Sequence, residues 1–187
     1  MTSTDPPARL ATATSPAADG DRTSAADIRP FTLGDVPQLL ELMKALAVLE
    51  DYIDDFQVTE TALVERGLGA EPQFHALVAV DPQSEGLLGM AVAYFVQFTW
   101  DLQPTLYLKE MFVRDGARGR GIGRSLFVEM ARFARSRGAG ALRWMVLAGN
   151  EEGVSFYRSL GARHDSKWHP WLLDGPGLDR LLLSREI

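Results

Sequence analysis

The chain has 187 residues, of which 46% are apolar and none is cysteine, and its formal net charge is −6. This length and apolar fraction are typical of one globular domain with a sizeable core. The acidic balance argues against general binding to nucleic acid or to anionic membranes, because both need an excess of positive charge. The lack of cysteine excludes disulfides, thiolate nucleophiles and cysteine-ligated zinc. Three scattered histidines make no metal site, so no metal is expected.

The first 26 residues differ in composition from the rest of the chain. They are rich in Ala, Thr, Ser, Pro, Asp and Gly and nearly lack large apolar side chains. Such a segment cannot bury enough surface to offset its ordering entropy, so we expect a disordered tail at 1–26 and one folded domain at 27–187. No basic start precedes an apolar stretch, so no signal peptide is expected and the predicted location is cytoplasmic.

The ordered part is expected to begin with a short strand at 28–31 and two helices. Asp35 is predicted to cap the first helix, whose apolar stripe comprises Val36, Leu39, Leu40, Met43, Leu46 and Ala47. Thr59 opens a second helix that ends near Gly67 or Gly69. Between the helices lies an acidic cluster around Tyr52, formed by Glu50, Asp51, Asp54 and Asp55. It is either a solvated loop or an acidic rim that attracts a cationic substrate.

Three strands at 74–80, 87–98 and 106–113 are predicted to form an antiparallel meander. The loop after the second strand contains Trp100, which either packs in the core or lines a pocket. A strand at 141–147 follows a helical crossover, so it should run parallel to the third strand. A helix capped by Asn150 and ended by Gly161 comes next, and strands near 168–172 and at 180–185 close the chain. This order predicts an α/β fold with one mixed, mostly antiparallel sheet and helices on both faces.

The segment 118–123 reads Arg-Gly-Arg-Gly-Ile-Gly and lies between the third strand and an apolar-striped helix that extends to about Arg137. Its three glycines let the backbone approach a ligand closely. The unpaired amides at the start of the helix lie at the positive end of its dipole, which predicts a phosphate or pyrophosphate site. The spacing does not fit the nicotinamide fingerprint, and no Lys-Ser or Lys-Thr follows as a P-loop requires. The pattern that fits is Arg-x-x-Gly-x-Gly.

This pattern resembles that of the GNAT superfamily of N-acetyltransferases, whose acetyl-coenzyme A motif is a strand, [Gln/Arg]-x-x-Gly-x-[Gly/Ala] and a helix. Segments 95–100, 106–108 and 150–162 are similar to the diamine/polyamine branch, which includes spermidine/spermine and thialysine N-acetyltransferases. The similarity covers roughly residues 27–187. It implies a GNAT-type fold, acetyl-CoA as co-substrate, a small-molecule primary amine as acceptor, direct transfer in a ternary complex, and a homodimer.

The resemblance also implies roles for single residues. The backbone of Met111, Phe112 and Val113 is expected to hydrogen-bond the pantetheine arm. Asn150 matches a cofactor-contacting position, although helix capping also explains an Asn there. Tyr157 matches the tyrosine that protonates the departing thiolate, and a phenol of pKa near 10 retains its proton at neutral pH. The pyrophosphate is expected on the amides of the glycine segment, with Arg118 adding charge or fixing the loop: Gly119, Arg120, Gly121, Ile122, Gly123 and Arg124.

The acceptor end departs from the branch. Relatives commonly carry Tyr-Leu-Glu-Asp where this chain reads Tyr-Leu-Lys109-Glu110, and a lysine there repels a polyamine but can bind a substrate carboxylate. Glu50 matches a substrate-contacting glutamate of relatives. The candidate acceptor residues are therefore Glu50, Trp100, Lys109 and Glu110. An amino acid, an antibiotic or a peptide N-terminus as acceptor, and an acetyl-CoA-binding module with weak turnover, remain alternatives.

Overall fold

The computed structural model describes residues 26–97 and 99–183. All but the last residue of the expected N-terminal tail therefore lie outside the described residues. The chain divides into two compact units, Met1–Met145 and Val146–Ile187.

The first unit is built on a five-stranded sheet with the order β1-β2-β3-β4-β5. The first four strands pair antiparallel and β5 runs parallel to β4. The sequence predicts the meander of β2, β3 and β4 and the parallel β5, but no partner for β1. The strands are β1 Asp27–Pro30, β2 His75–Val80, β3 Leu87–Val96, β4 Thr105–Val113 and β5 Ala141–Arg143. Three helices belong to this unit: α1 Val36–Leu49, α2 Glu60–Gly67 and α3 Ile122–Ser136. The strand β5 is shorter than the predicted 141–147.

Helices cover both faces of the sheet, as predicted. Alternate side chains of β2 point to opposite faces, so Ala76, Val78 and Val80 join one core and Leu77 and Ala79 join the other. The first core is completed by α1 and α2, and the second by the apolar face of α3. This fold is the α/β architecture that the order of elements implies.

The predicted cap of α1 is wrong in its detail. Asp35 occupies the N-cap position, but its side chain makes no capping hydrogen bond to α1. Its buried carboxylate accepts two hydrogen bonds from Arg29, at 2.6 and 2.9 Å, and two from the backbone N–H and hydroxyl of Thr32, at 2.7 and 2.8 Å. These charge-assisted bonds lower the pKa of Asp35 to about 2. Asp35 therefore ties α1 to β1.

The second unit contains α4 Glu151–Ser159 and α5 Gly175–Leu183. The helix α5 replaces the predicted strand at 180–185, of which residues 184 and 185 lie outside the described part. The backbone N–H of Gly177 donates to the Asp174 carboxylate at 2.8 Å, and Pro176 lies in the first turn. An Asp cap followed by an early proline favours a helix start, and this outweighs the leucine run that suggested a strand. Residues 168–172 also form no strand.

Candidate active site

The glycine segment and the first turn of α3 form an open, amide-rich surface. Gly119 and Gly121 adopt φ values of +73° and +80°, which L side chains rarely accept. No heavy atom lies within 4 Å of the position that a Cβ would take at either glycine, so their outer side is open. Ser125 is the first residue to donate back, to the Gly121 carbonyl at 3.0 Å. The amides of residues 122–124 have no acceptor within the helix, and an anion such as pyrophosphate can take that place.

Arg118 braces this segment. Its Nε donates to the Val113 carbonyl at 3.3 Å and lies 3.2 Å from the Asp115 carboxylate. The first contact joins the end of β4 to the turn that precedes α3, and the second holds the turn itself together. Of the two roles expected for Arg118, the geometry favours fixing the loop.

The edge of β4 that faces β5 is open along its second half. The β4–β5 pairing extends only from Thr105–Ala141 to Tyr107–Arg143, whereas β4 continues to Val113. Within the described residues, no strand pairs with positions 108–113 on this side. Met111, Phe112 and Val113 therefore lie where an extended ligand arm can add to the sheet as a strand would.

A β-bulge at Lys109 interrupts the pairing of β3 with β4. Val92 pairs with Glu110 and Ala93 pairs with Leu108, so Lys109 is the extra residue. A bulge reverses the alternation of side chains, and Glu110 consequently shares the α1–α2 face with Tyr107 instead of lying opposite to it. Close approach of the same two strands also requires Gly89, since a Cβ there would lie 2.7 Å from the Phe112 carbonyl oxygen.

An acidic and aromatic cluster results on the α1–α2 face. Burial raises the pKa of Glu110 above its ordinary value, Lys109 acts against this shift and Glu50 adds to it. Burial, with the charges of Glu110 and Glu50, raises the pKa of Tyr52 to about 12. The end of α1 thus brings Glu50 and Tyr52 close enough to Glu110 for their charges to interact. A partly buried carboxylate with a raised pKa is suited to general-base chemistry.

Sequence reasoning missed the aromatic side chains on this face of the sheet. Tyr94 and Tyr107 are cross-strand neighbours whose rings stack at 5.3 Å, and Tyr94 is 36% exposed, although core packing was expected for the rings of β3. Tyr52 belongs to the acidic loop after α1. On β3, Ala91 and Ala93 are buried on the α3 face, and their alternation with Tyr94 is a signal in the sequence that places Tyr94 on the other face.

The other candidate acceptor residues lie in different surroundings. Lys109 is exposed at the bulge beside Glu110. Trp100 is 94% exposed in the loop between β3 and β4. It therefore does not pack in the core, and the structure does not bring it into the cluster of Glu50, Tyr52 and Glu110.

Asn150 and Tyr157 belong to the second unit. The Asn150 side chain accepts a hydrogen bond from the Gly153 N–H at 2.8 Å, so it caps α4 as expected. Tyr157 is half-buried on α4, and its ring packs edge-on against Phe156 at 5.1 Å. The helix thus holds the phenol in a defined position within its own unit.

The described ranges, 26–97 and 99–183, contain neither a metal-binding cluster nor a membrane-length helix. No group of three or more His, Asp or Glu side chains in them is arranged to hold a metal ion. None of their helices is both long and apolar enough to cross a bilayer.

The chain belongs to the acetyltransferase (GNAT) family, whose family model matches residues 42–162. It is therefore an acyltransferase, and membership of the family implies acetyl-CoA as co-substrate. The matched range contains the bulged strand, the glycine segment and α4.

Characterised relatives cover most of the chain. It is 32% identical to the thialysine N-epsilon-acetyltransferase of Sus scrofa over 163 residues, which are 82% of this chain and 95% of that protein. It is 24% identical to the L-ornithine N5-acetyltransferase of Arabidopsis thaliana over 198 aligned positions, covering 82% and 86% of the two chains. These relatives are acetyltransferases whose names specify small molecules that carry amines.

Solved structures agree on the fold. An integron cassette protein of V. cholerae superposes with a TM-score of 0.69 at 23% identity, covering 84% of this chain and 98% of that one. An aminoglycoside acetyltransferase from a soil metagenome gives a TM-score of 0.67 at 17% identity, covering 82% and 100%. The GNAT-type fold expected from the sequence is confirmed.

Proposed function

We propose that this enzyme transfers the acetyl group of acetyl-CoA directly to a primary amine of a small, diamine- or polyamine-like molecule within a ternary complex. The observation that carries the proposal is the cluster of Glu110, Glu50 and Tyr52 at the bulge of β4. Carboxylates attract an ammonium group, and a carboxylate of raised pKa accepts its proton. The chain has no cysteine, so no thiol is available for a covalent acyl-enzyme.

The proposed reaction gives a role to several of the candidate residues. The ammonium group of the acceptor loses a proton to Glu110, and the neutral amine attacks the thioester carbonyl to form a tetrahedral intermediate with a negative oxygen and a positive nitrogen. Backbone N–H groups of the open β4 edge near Met111 stabilise that oxyanion. Collapse of the intermediate breaks the carbon–sulfur bond, and Tyr157 donates its phenolic proton to the departing thiolate, in the role that the resemblance implies. The extra proton on the nitrogen then restores the phenol. The amides of Gly119, Arg120, Gly121, Ile122, Gly123 and Arg124 hold the pyrophosphate, while the backbone at 111–113 and Asn150 hold the rest of the co-substrate.

The second candidate acceptor is an amino acid that carries a side-chain amine. Lys109 favours it, because an exposed ammonium beside Glu110 is placed to pair with a carboxylate. The named substrates of the Sus scrofa and Arabidopsis thaliana relatives, thialysine and ornithine, combine an amine with a carboxylate. The two candidate acceptors differ in the charge that they bring close to Lys109: a diamine or polyamine brings an ammonium group, and an amino acid brings a carboxylate.

Charge reversal at Lys109 separates the candidates. Initial rates of coenzyme A release are measured for putrescine, spermidine, ornithine and lysine with the parent enzyme and with Lys109→Glu. If the acceptor is a diamine or polyamine, the parent enzyme should have its highest kcat/KM for putrescine or spermidine. The kcat/KM for these two molecules should rise further in Lys109→Glu. If the acceptor is an amino acid, the parent enzyme should have its highest kcat/KM for ornithine or lysine, and the kcat/KM for these two should fall in Lys109→Glu. Lys44→Glu, an exposed change of the same charge on α1, controls for net charge.

The ternary complex has its own test. Initial rates measured at several concentrations of both substrates should give intersecting double-reciprocal lines, whereas parallel lines would indicate a covalent intermediate.

A homodimer and a cytoplasmic location stay predictions. Trp168 and Trp171, 65% and 96% exposed, are candidates for the subunit interface.

A further inference from the structure

A cavity of about 400 Å³ lies in the first unit at the C-terminal end of α3. In the described part of the chain it is lined by Ala70, Pro72, His75, Phe95, Gln97 and Arg137. The 15 residues of α3 rise about 1.5 Å each, so about 22 Å of helix separates this end from the glycine segment. The cavity also lies on the α3 face of the sheet, opposite the face that carries Glu110. It is therefore distinct from the acetyl-transfer site.

Arg137 supplies the positive charge of this cavity. Four arginines of the unit, Arg29, Arg114, Arg118 and Arg132, pair with carboxylates, whereas Arg137 has no ion pair within residues 26–97 and 99–183. Its guanidinium carbon lies 5.4 Å from the centre of the Phe133 ring. This cation–π contact orients the group and leaves the N–H edge free to donate.

His75 lines the cavity and has two aromatic neighbours. Its imidazole lies 4.8 Å from the ring of Phe133 and 5.7 Å from that of Phe95, counted between ring centres. Burial and the nearby charge of Arg137 lower its pKa, so the ring is neutral at pH 7. A neutral imidazole retains one N–H donor. This side of the cavity is thus aromatic and able to donate a hydrogen bond.

We propose that this cavity is a second binding site, which takes a small planar carboxylate such as an aromatic acid. The guanidinium of Arg137 binds the carboxylate through two parallel N–H donors. The Gln97 amide adds a further donor at the mouth, and Phe95 with Pro72 packs against the flat body of the ligand. The volume lies within the range of small-molecule pockets.

The same groups reject other ligands. The charge of Arg137 repels an amine, and no carboxylate lines the cavity among the described residues. Inorganic phosphate satisfies Arg137 but leaves the apolar wall in contact with water. Acetate carries the carboxylate but lacks an aromatic ring to pack against the apolar side chains. Benzoate, acetate and benzylamine therefore form a graded set of probes.

The experiment is an NMR titration of the full chain with each probe, which follows the imidazole signals of its three histidines. Comparison with His75→Gln assigns the His75 signal. Benzoate should shift that signal saturably and raise the pKa of His75, because a bound anion favours the imidazolium form. Acetate should bind at least about tenfold more weakly, and benzylamine should leave the signal unchanged.

Two variants make the result decisive. Arg137→Gln should weaken benzoate binding at least about tenfold, the loss expected for a hydrogen-bonded charge partner. Arg132→Gln, on the same helix and exposed, should leave it unchanged. Both variants should bind acetyl-CoA with the affinity of the parent enzyme. A loss of benzoate binding can then be distinguished from a failure of the proposed acetyl-transfer site. Equal binding of benzoate and benzylamine, absence of a His75 shift, or unchanged affinity in Arg137→Gln would overturn the proposal.

Discussion

Replacement of Glu110 by glutamine tests the proposed base directly. Glutamine keeps the volume and hydrogen-bonding capacity of the side chain and removes its ability to take a proton. A general base contributes about 10²–10⁴-fold to a rate, so kcat should fall at least about 100-fold, or about 2.7 kcal/mol of activation free energy. A carboxylate that only attracted the ammonium would instead raise KM and leave kcat unchanged.

The pH dependence gives an independent readout. Because burial raises the pKa of Glu110, the base is protonated and inactive below that pKa, and kcat of the parent should decline as pH falls through it. The acidic limb of this profile should disappear in Glu110→Gln. Glu65→Gln, an exposed change of the same kind on α2, should keep both the rate and the profile.

The free energy of unfolding should fall over the pH range in which kcat rises. A folded pKa above the ordinary 4.5 means that the native state binds the proton more tightly than the unfolded chain. Stability therefore falls as pH rises from 4.5 through the folded pKa, by about 1.4 kcal/mol for each pH unit that separates the folded from the unfolded pKa. Glu110→Gln should be more stable than the parent at neutral pH and equal to it below pH 4.5 in urea unfolding. An unchanged kcat and an unchanged pH profile would refute the assignment of Glu110.

Three further predictions concern other residues. Tyr157→Phe should lower kcat with little change in the KM for acetyl-CoA, and an unchanged kcat in steady-state assays removes Tyr157 as the acid. Gly121→Val should abolish acetyl-CoA binding in calorimetry while circular dichroism stays native. Gly138→Val is the matched control, since its φ of +76° imposes the same left-handed strain, of order 1–2 kcal/mol, at the far end of α3, and normal affinity in Gly121→Val would contradict the pyrophosphate site. Asp35→Asn should lose about 2 kcal/mol of stability at pH 7, because the pKa of Asp35 falls from 3.8 to about 2 on folding. That difference should shrink in unfolding experiments as pH drops from about 4 through 2, and a difference that stays as large at pH 2 as at pH 7 would show that the charge is not its cause.

The local structure of the proposed donor site was readable from the sequence. Glycines at alternate positions followed by an apolar stripe define a turn and a helix start by local rules alone, and the structure places α3 at Ile122 as those rules require. The order of β2 to β5 followed from short connections and the helical crossover, whereas the place of β1 beside β2 did not. These features depend on residues that are close together in the chain.

The acceptor half was not readable in the same way. The bulge at Lys109 is a property of the pairing of two strands, and it decides which face receives Glu110. Alternation along β4 alone would have placed Glu110 opposite Tyr107. The contacts of Glu110 with the end of α1 are likewise long-range. Local rules failed again at α5, where a leucine run fits a strand and a helix equally well and the Asp174 cap decides.

A competition between acceptors tests the proposed function in one measurement. The enzyme is incubated with acetyl-CoA labelled in its acetyl group and equal concentrations of a diamine, a polyamine and an amino acid such as ornithine, and the labelled products are identified by mass spectrometry. We expect the label on a primary amine of the diamine or polyamine, in excess over the amino acid and with one coenzyme A released per acetyl group. Label found mainly on the amino acid, or no labelled product from any acceptor, would contradict the proposed function.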